Sequence, residues 1–576
     1  MRTTTKLQPV TQAYLPEELK VTTWSELEYY YHELLNRPIC SLEELECWIL
    51  NKSELDALVN EELSWRIIHH TVNIEDKDAE KAYQYAVQEL SPQITSYEYR
   101  LNQKLISTTF LSGLDPQEYQ IYLRSVKNAL SLFCGENVPL TTEVHLRLKE
   151  YSKIFSVMTV GVNGVQMTLQ KAGALLEEPN RVYRETVYHK IYQRILQDTD
   201  FFENLFEDLL RKRHQIALNA GFENYRDYKF CELGRFDYSA EDCLAFHDSI
   251  ASEILPLVEN ISEYRRDALE LDALRPWDLN VDTCGKAPLR PFENVEELVE
   301  KSILCLSKVH PFFGEVISTM RAMGRLDLDS RRGKRPGGYN MPLHRSGVPF
   351  VFMNATNTLN DMRMLMHESG HAVHSFLSHA HPLSIAKRIP MEVAELASMT
   401  MELLSMDHWE IFFENPDDLK RAKVAQLEYV LKALPWIAAI DKFQHWLYTN
   451  PEHTRQERKE NWMQILDEFS PSVVDRSGLE HYQEYLWHRQ LHVFEVPFYY
   501  IEYGMAQLGA IAIWKQYREN PEQTIQNYRK ALEMGYTQPI REIYRTAGIA
   551  FDFSRDYVRE LGGFVKEELN RLLGQS

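Results

Sequence analysis

The stretch at 360–381 reads NDMRMLMHESGHAVHSFLSHAH, and within it HESGH at 367–371 sets two histidines four residues apart with a glutamate directly after the first. Leu359, Met362, Met366, Val373 and Phe376 recur through the segment at helical spacing. On a helix, residues four apart lie one turn along the same face, so His367 and His371 can offer both imidazoles to one ion. Glu368 is then carried beside that ion, where its carboxylate reaches a metal-bound water without itself coordinating. With 20 histidines in 576 residues, H-E-x-x-H arises by accident about 0.07 times in such a chain. The pair therefore needs a third ligand, because a zinc site that keeps a water is held by three protein groups.

His374, His379, His381, Glu392, Glu395 and Glu402 are the nearby candidates. His374 lies roughly 10 Å from His367 along the helix axis at 1.5 Å per residue, too far for three ligands of one rigid helix to converge. A ligand from a second element is better placed. Pro390 opens another helical run, MEVAELASMTMELLSMD, in which Glu395 and Glu402 are seven apart and share a face, while Glu392 is offset by about 60°. Glu395 as ligand, with Glu402 hydrogen-bonded to a ligating imidazole, is a consistent arrangement. Spacing alone leaves Glu392 open.

Outward from the motif, the chain is too long for one core, so two or more packed regions are expected. Its 23 glycines and 24 prolines make about 8% of the chain where roughly 12% is usual, which favours long helices: a mostly α fold. Amphipathic segments such as LPEELKVTTWSELEYYYHELLNR fill the first part. FSVMTVGVNGVQMT at 155–168 alternates apolar residues about Asn163-Gly164 and predicts a β-hairpin. Two irregular stretches, 274–292 and 325–354, precede the motif, the second ending in a strand candidate, VPFVFMN. Chain division is expected at 1–195, an N-terminal helical domain, and 196–576, a catalytic domain.

A net charge of −21 repels phosphate backbones and anionic lipid, so neither nucleic acid nor membrane is an expected partner. The basic run RRGKR at 331–335 reads as a solvated loop. The N-terminus has no apolar leader core, and no apolar stretch reaches the roughly 20 residues that span a bilayer. Seven dispersed cysteines without C-x-x-C fit reduced thiols in a cytoplasmic protein, with neither a disulfide framework nor a Cys-ligated zinc.

HESGHAVHS, followed 24 residues after His371 by the first glutamate of ELASMTME, resembles the thimet oligopeptidase/oligoendopeptidase F family of zinc peptidases. The segments LRPWDL, GKRPGGYN, VPFVFMNATNTLNDMRMLMHESGH and PFYYIEYGMAQLGA are similar to the oligoendopeptidase F branch. The resemblance covers roughly 200–560. It implies one Zn²⁺ held by His367, His371 and Glu395, choosing Glu395 over Glu392, and a helical shell enclosing a deep substrate channel, with a small β element near the site. It also implies a histidine and tyrosines over the zinc. LHVFEVPFYYIEYGMAQ offers His492, Tyr500 and Tyr503 for catalysis and Tyr499 for substrate binding. This chain lacks the glycine-rich loop that thimet oligopeptidase carries there, which leaves Tyr499 and Tyr500 as alternatives for the position facing zinc.

The reading that follows is a zinc-dependent endopeptidase acting on short peptides, with Glu368 as general base. The strand VPFVFMN is expected to pair with substrate backbone. A helical zinc carboxypeptidase is the nearest alternative. A non-catalytic zinc-stabilised peptide-binding protein is disfavoured by Glu368, since a structural site needs no base and closes its fourth position.

Overall fold

Scarce glycine and proline translate into a chain that is 70% helical in the computed structural model, which describes residues 13–574. The expected absence of an apolar leader rests on the first twenty residues, of which 1–12 lie outside the described residues. Among the described residues no helix is long and apolar enough to cross a membrane.

Two small sheets interrupt the helices. β1 (Thr159–Val162) and β2 (Val165–Thr168) pair antiparallel. Asn163 and Gly164 between them take φ of 51° and 81°, the left-handed pair that a two-residue hairpin turn requires. The second sheet joins β3 (Leu326–Asp329), β4 (Tyr339–Met341) and β5 (Phe350–Ala355) in the order β3-β5-β4, parallel on the β3 side and antiparallel on the β4 side.

This topology corrects two expectations. β5, the strand foreseen in VPFVFMN, is central: β3 and β4 occupy both its edges, so it has none to lend a substrate. Its run of buried residues, Phe350 to Met353, is the continuous apolar pattern of a covered strand. The basic run at 331–335 is also not a solvated loop throughout. Arg332 is exposed, but the Lys334 side chain is fully buried. Its ammonium donates to the carbonyls of Asp327, Asp329 and Met353 and to the Asp327 carboxylate, tying the irregular segment to the sheet.

Four helices position the site. The motif helix (Leu359–Ser378) starts at a capping box, Thr358 and Asp361 each bonding the other's backbone N–H. The glutamate helix (Met391–Ser405) is buried at every residue from Glu392 to Ser405, the all-round burial of a helix at the centre of a core. It packs between the motif helix and the tyrosine helix (Tyr500–Glu519), which in turn packs on the long helix (Pro416–Thr449). All four contribute to one apolar core running from Ile121 to Leu569, while residues 15–126 form most of a second.

Candidate functional site

The motif and glutamate helices approach closely because Gly370, inside HESGH, has no side chain. A Cβ there would lie 2.4 Å from the Ala397 carbonyl oxygen and 2.5 Å from Ser398 Cα. The approach brings three predicted ligands together. Glu395 Oε2 is 3.1 Å from His367 Nε2 and 3.6 Å from His371 Nε2, and the donor atoms of all three lie within 4.8 Å of one another. The two imidazoles keep side-chain exposures of 16% and 15%, so the cluster is reached by solvent although its neighbours are core residues.

His367 and Glu395 are held from behind. His367 Nδ1 lies 2.8 Å from Glu402 Oε1, leaving Nε2 as the nitrogen that faces the cluster. Gln426 Nε2 donates to Glu402 Oε2 at 3.1 Å. Glu395 accepts from Ser398 Oγ at 2.9 Å and from Tyr499 Oη at 2.7 Å. Glu392, the alternative that spacing left open, turns away and accepts from Tyr238 Oη at 2.6 Å. His374 is buried outside the trio, and His381 Nε2 bonds the Glu533 carbonyl at 2.7 Å.

The electrostatics follow from packing carboxylates and imidazoles out of water. Burial would raise the Glu395 carboxyl, but His371, His367 and Tyr499 outweigh it and lower it to about 2. Burial lowers His371 to about 4. It opposes protonation of His367 too, but hydrogen bonds to Glu395 and Glu402 hold that ring's pKa well above the ordinary range. Glu368 is pushed up to about 7, chiefly by burial, with Glu395 and Glu402 adding to the effect. Its Oε2 is buried without a hydrogen-bond partner in the protein. Three buried carboxylates around two imidazoles, one with an orphaned oxygen, form a donor set that fits a divalent cation of the zinc type.

The tyrosine segment reaches the cluster through a strained turn. Phe498, not a glycine, takes φ of 64°. Its N–H donates to Gln444 Oε1 at 2.8 Å, and Arg235 bonds both its carbonyl and Glu502. The turn aims Tyr499 at Glu395, while the Tyr500 hydroxyl faces Trp436 and Gln490. Tyr503 meets the Tyr499 hydroxyl, within electrostatic reach of Glu395 and Glu368. His492 is 2.7 Å through Nδ1 from Gln490 Nε2, and its ring lies 4.8–5.6 Å from the rings of Tyr499, Tyr500 and Tyr503.

Sequence reading missed Gly370, Ser398, Gln426 and Asn340, whose Nδ2 donates to the Glu368 carbonyl at 3.1 Å. A glycine in mid-helix is a legible signal of close approach, and Ser398 stands one turn after Glu395. Nothing local marks Gln426 or Asn340.

The model of peptidase family M3 matches residues 174–563, and that of the peptidase M3 N-terminal domain matches 16–133. The chain belongs to peptidase family M3. Among curated relatives, an oligoendopeptidase F homolog of Borreliella burgdorferi is 23% identical over 67% of this chain, and oligopeptidase PepF of Bacillus subtilis is 22% identical over 65%. The matched stretches span 65% and 55% of those relatives' own lengths. In fold, the chain is similar to PZ peptidase A solved with an inhibitor, with a TM-score of 0.91 at 24% identity, covering 98% of this chain and 99% of that one. It is also similar to oligoendopeptidase F from Enterococcus faecium, with a TM-score of 0.65 at 16% identity, covering 96% and 97%.

Proposed function

We propose that this chain is a zinc-dependent endopeptidase that hydrolyses internal bonds of short oligopeptides. The observation that carries the reading is a single carboxylate oxygen, Glu395 Oε2, lying 3.1 and 3.6 Å from Nε2 of two histidines, with Glu368 between them in sequence. One catalytic ion, which His367, His371 and Glu395 would hold, would supply Lewis acidity to polarise the scissile carbonyl and acidify a water. Glu368 carries the proton. It takes one from the attacking water as the O–C bond forms and gives it to the amide nitrogen as the C–N bond breaks. Burial raises its affinity for that proton, and the charge of a bound cation works in the opposite sense.

Tyr503 and His492 are the donors for the oxyanion, each worth about 3 kcal/mol when well aimed. Tyr499 holds Glu395 from one side and lines the substrate path, and Tyr500 forms its wall beside Trp436. The limited exposure of the two imidazoles supports entry by extended peptides and not by folded proteins. Seven free cysteines support a reducing, cytoplasmic setting.

The test is Glu368→Gln. The variant is expected to keep its zinc and lose turnover by about 100-fold or more on an internally quenched peptide blocked at its C-terminus. Near-wild-type turnover by the variant would overturn the role of Glu368. Failure of the wild-type chain to cut the blocked peptide, with release of C-terminal residues from the free one, would replace the endopeptidase by a carboxypeptidase.

A further inference from the structure

A second set of metal-type donors lies apart from the active site. The helix Ala240–Ser249 carries Cys243 and His247 one turn apart on one face, and the long helix carries Asp441 and His445 at the same spacing. The two helices pack together. Donor atoms of Cys243, Asp441 and His445 lie within 4.8 Å of one another. Asp441 Oδ2 is 2.9 Å from His247 Nε2 and 3.2 Å from His445 Nε2. One carboxylate oxygen bracketed by two imidazole nitrogens is also the arrangement of His367, His371 and Glu395.

All four residues are buried, none above 5% exposed, yet they satisfy one another poorly. Asp441 Oδ1, His247 Nδ1 and His445 Nδ1 have no hydrogen-bond partner in the protein, and His445 Nε2 meets Asp441 Oδ2 at 3.2 Å without good hydrogen-bond alignment. Among the described residues only these two histidines pair with Asp441. Buried polar groups are ordinarily satisfied, and several orphaned atoms within one buried cluster call for a missing partner. One thiol, two imidazoles and one carboxylate form a donor set suited to Zn²⁺. Zinc–ligand lengths of about 2.0–2.3 Å set tetrahedral ligand separations of roughly 3.3–3.8 Å. The Cys243, Asp441 and His445 donors, within 4.8 Å of one another, reach them by closing about 1–1.5 Å, while His247 Nε2, outside that trio, must part slightly from Asp441 Oδ2, now 2.9 Å away.

We propose that Cys243, His247, Asp441 and His445 form a second, closed zinc site that ties the Ala240–Ser249 helix to the long helix. Four protein donors leave no position for water, so the site is structural, and binding releases the Cys243 proton. Its place gives it a purpose. Gln444, between Asp441 and His445, holds the Phe498 N–H, and the Phe498 ring lies edge-on to His445 at 5.3 Å. The ion therefore anchors the stretch of helix that holds the strained turn before Tyr499. The lack of C-x-x-C in the sequence predicts no Cys-ligated zinc. Here the donors come as two i,i+4 pairs from segments about 194 residues apart.

The test is zinc content by mass spectrometry of the full chain, with cobalt substitution as a second readout. Wild type is expected to hold two zinc ions per chain, and Cys243→Ser and His371→Ala one each. Cobalt-loaded wild type is expected to show a thiolate-to-cobalt charge-transfer band in the near ultraviolet. That band should persist in His371→Ala and vanish in Cys243→Ser, because only the proposed site offers a thiolate. One zinc per wild-type chain, or cobalt-loaded wild type without the band, would overturn the proposal even if Cys243→Ser failed to fold. Neither result bears on the peptidase reading, which Glu368→Gln tests separately.

Discussion

Gly370→Ala separates the chemistry of HESGH from its packing. In an exposed helix interior the change would stabilise by about 0.8–1 kcal/mol, because alanine is the better helix former. Here the new Cβ would meet the Ala397 carbonyl oxygen at 2.4 Å, about 1 Å inside the 3.4 Å at which contact becomes ordinary. The obstructing atoms are backbone of a helix buried from Glu392 to Ser405, so they cannot rotate aside. The two helices must part by about the same 1 Å. Glu395 stands two residues from Ala397 and moves with it, whereas metal–ligand distances tolerate about 0.2 Å. Overpacking of this kind costs about 1–3 kcal/mol, at least as much as the gain in propensity, so the net effect is a loss of up to about 2 kcal/mol. Zinc affinity should fall by about 10–100-fold, the loss typical when support of a ligand is removed. Thermal melts and zinc titrations against a competing chelator, on wild type and variant, measure both. If Gly370→Ala melted at or above the wild-type temperature and bound zinc undiminished, close helix approach would not be what assembles the site.

Glu402→Gln removes the charge that holds His367 Nδ1 and should weaken zinc binding about 10–100-fold in the same titration. The two tyrosines should divide by phenotype. Tyr499→Phe, losing its bond to Glu395, is expected to lower zinc affinity, whereas Tyr503→Phe should keep its zinc and lose about 100-fold or more in kcat. His344 gives a pH prediction away from either metal site. Burial, aided by Arg388 and Lys387, lowers its pKa from 6.5 to about 3. Above pH 6.5 neither folded nor unfolded chain binds the proton. Between 6.5 and about 3 only the unfolded chain does, so stability falls with pH by roughly 4–5 kcal/mol in total. His344→Asn should flatten urea-unfolding free energies across that window, and an unchanged slope would refute the assignment.

The sequence by itself determined much that depends on neighbours along the chain. The 3.6-residue period of NDMRMLMHESGHAVHSFL set a helix with His367 and His371 on one face. Asn163-Gly164 set a hairpin because both residues tolerate positive φ, and Pro390 marked the start of the glutamate helix. Periodicity also put Glu395 and Glu402 on one face. It could not say which face of the glutamate helix meets the histidines, since that depends on the crossing of two elements, and the crossing is set by Gly370 against Ala397.

Other outcomes belong to the tertiary structure alone for the same reason. Tyr499 and not Tyr500 bonds Glu395 because Phe498 is held at positive φ by Gln444 and Arg235, residues distant in sequence. Lys334 is buried because the carbonyls of two strands converge on it, and β5 is central because β3 and β4 flank it. Cys243, His247, Asp441 and His445 read singly as two unremarkable i,i+4 pairs, and became one cluster only when their helices packed. Local sequence fixes what a segment can present, and only the packing of segments decides what it is presented to.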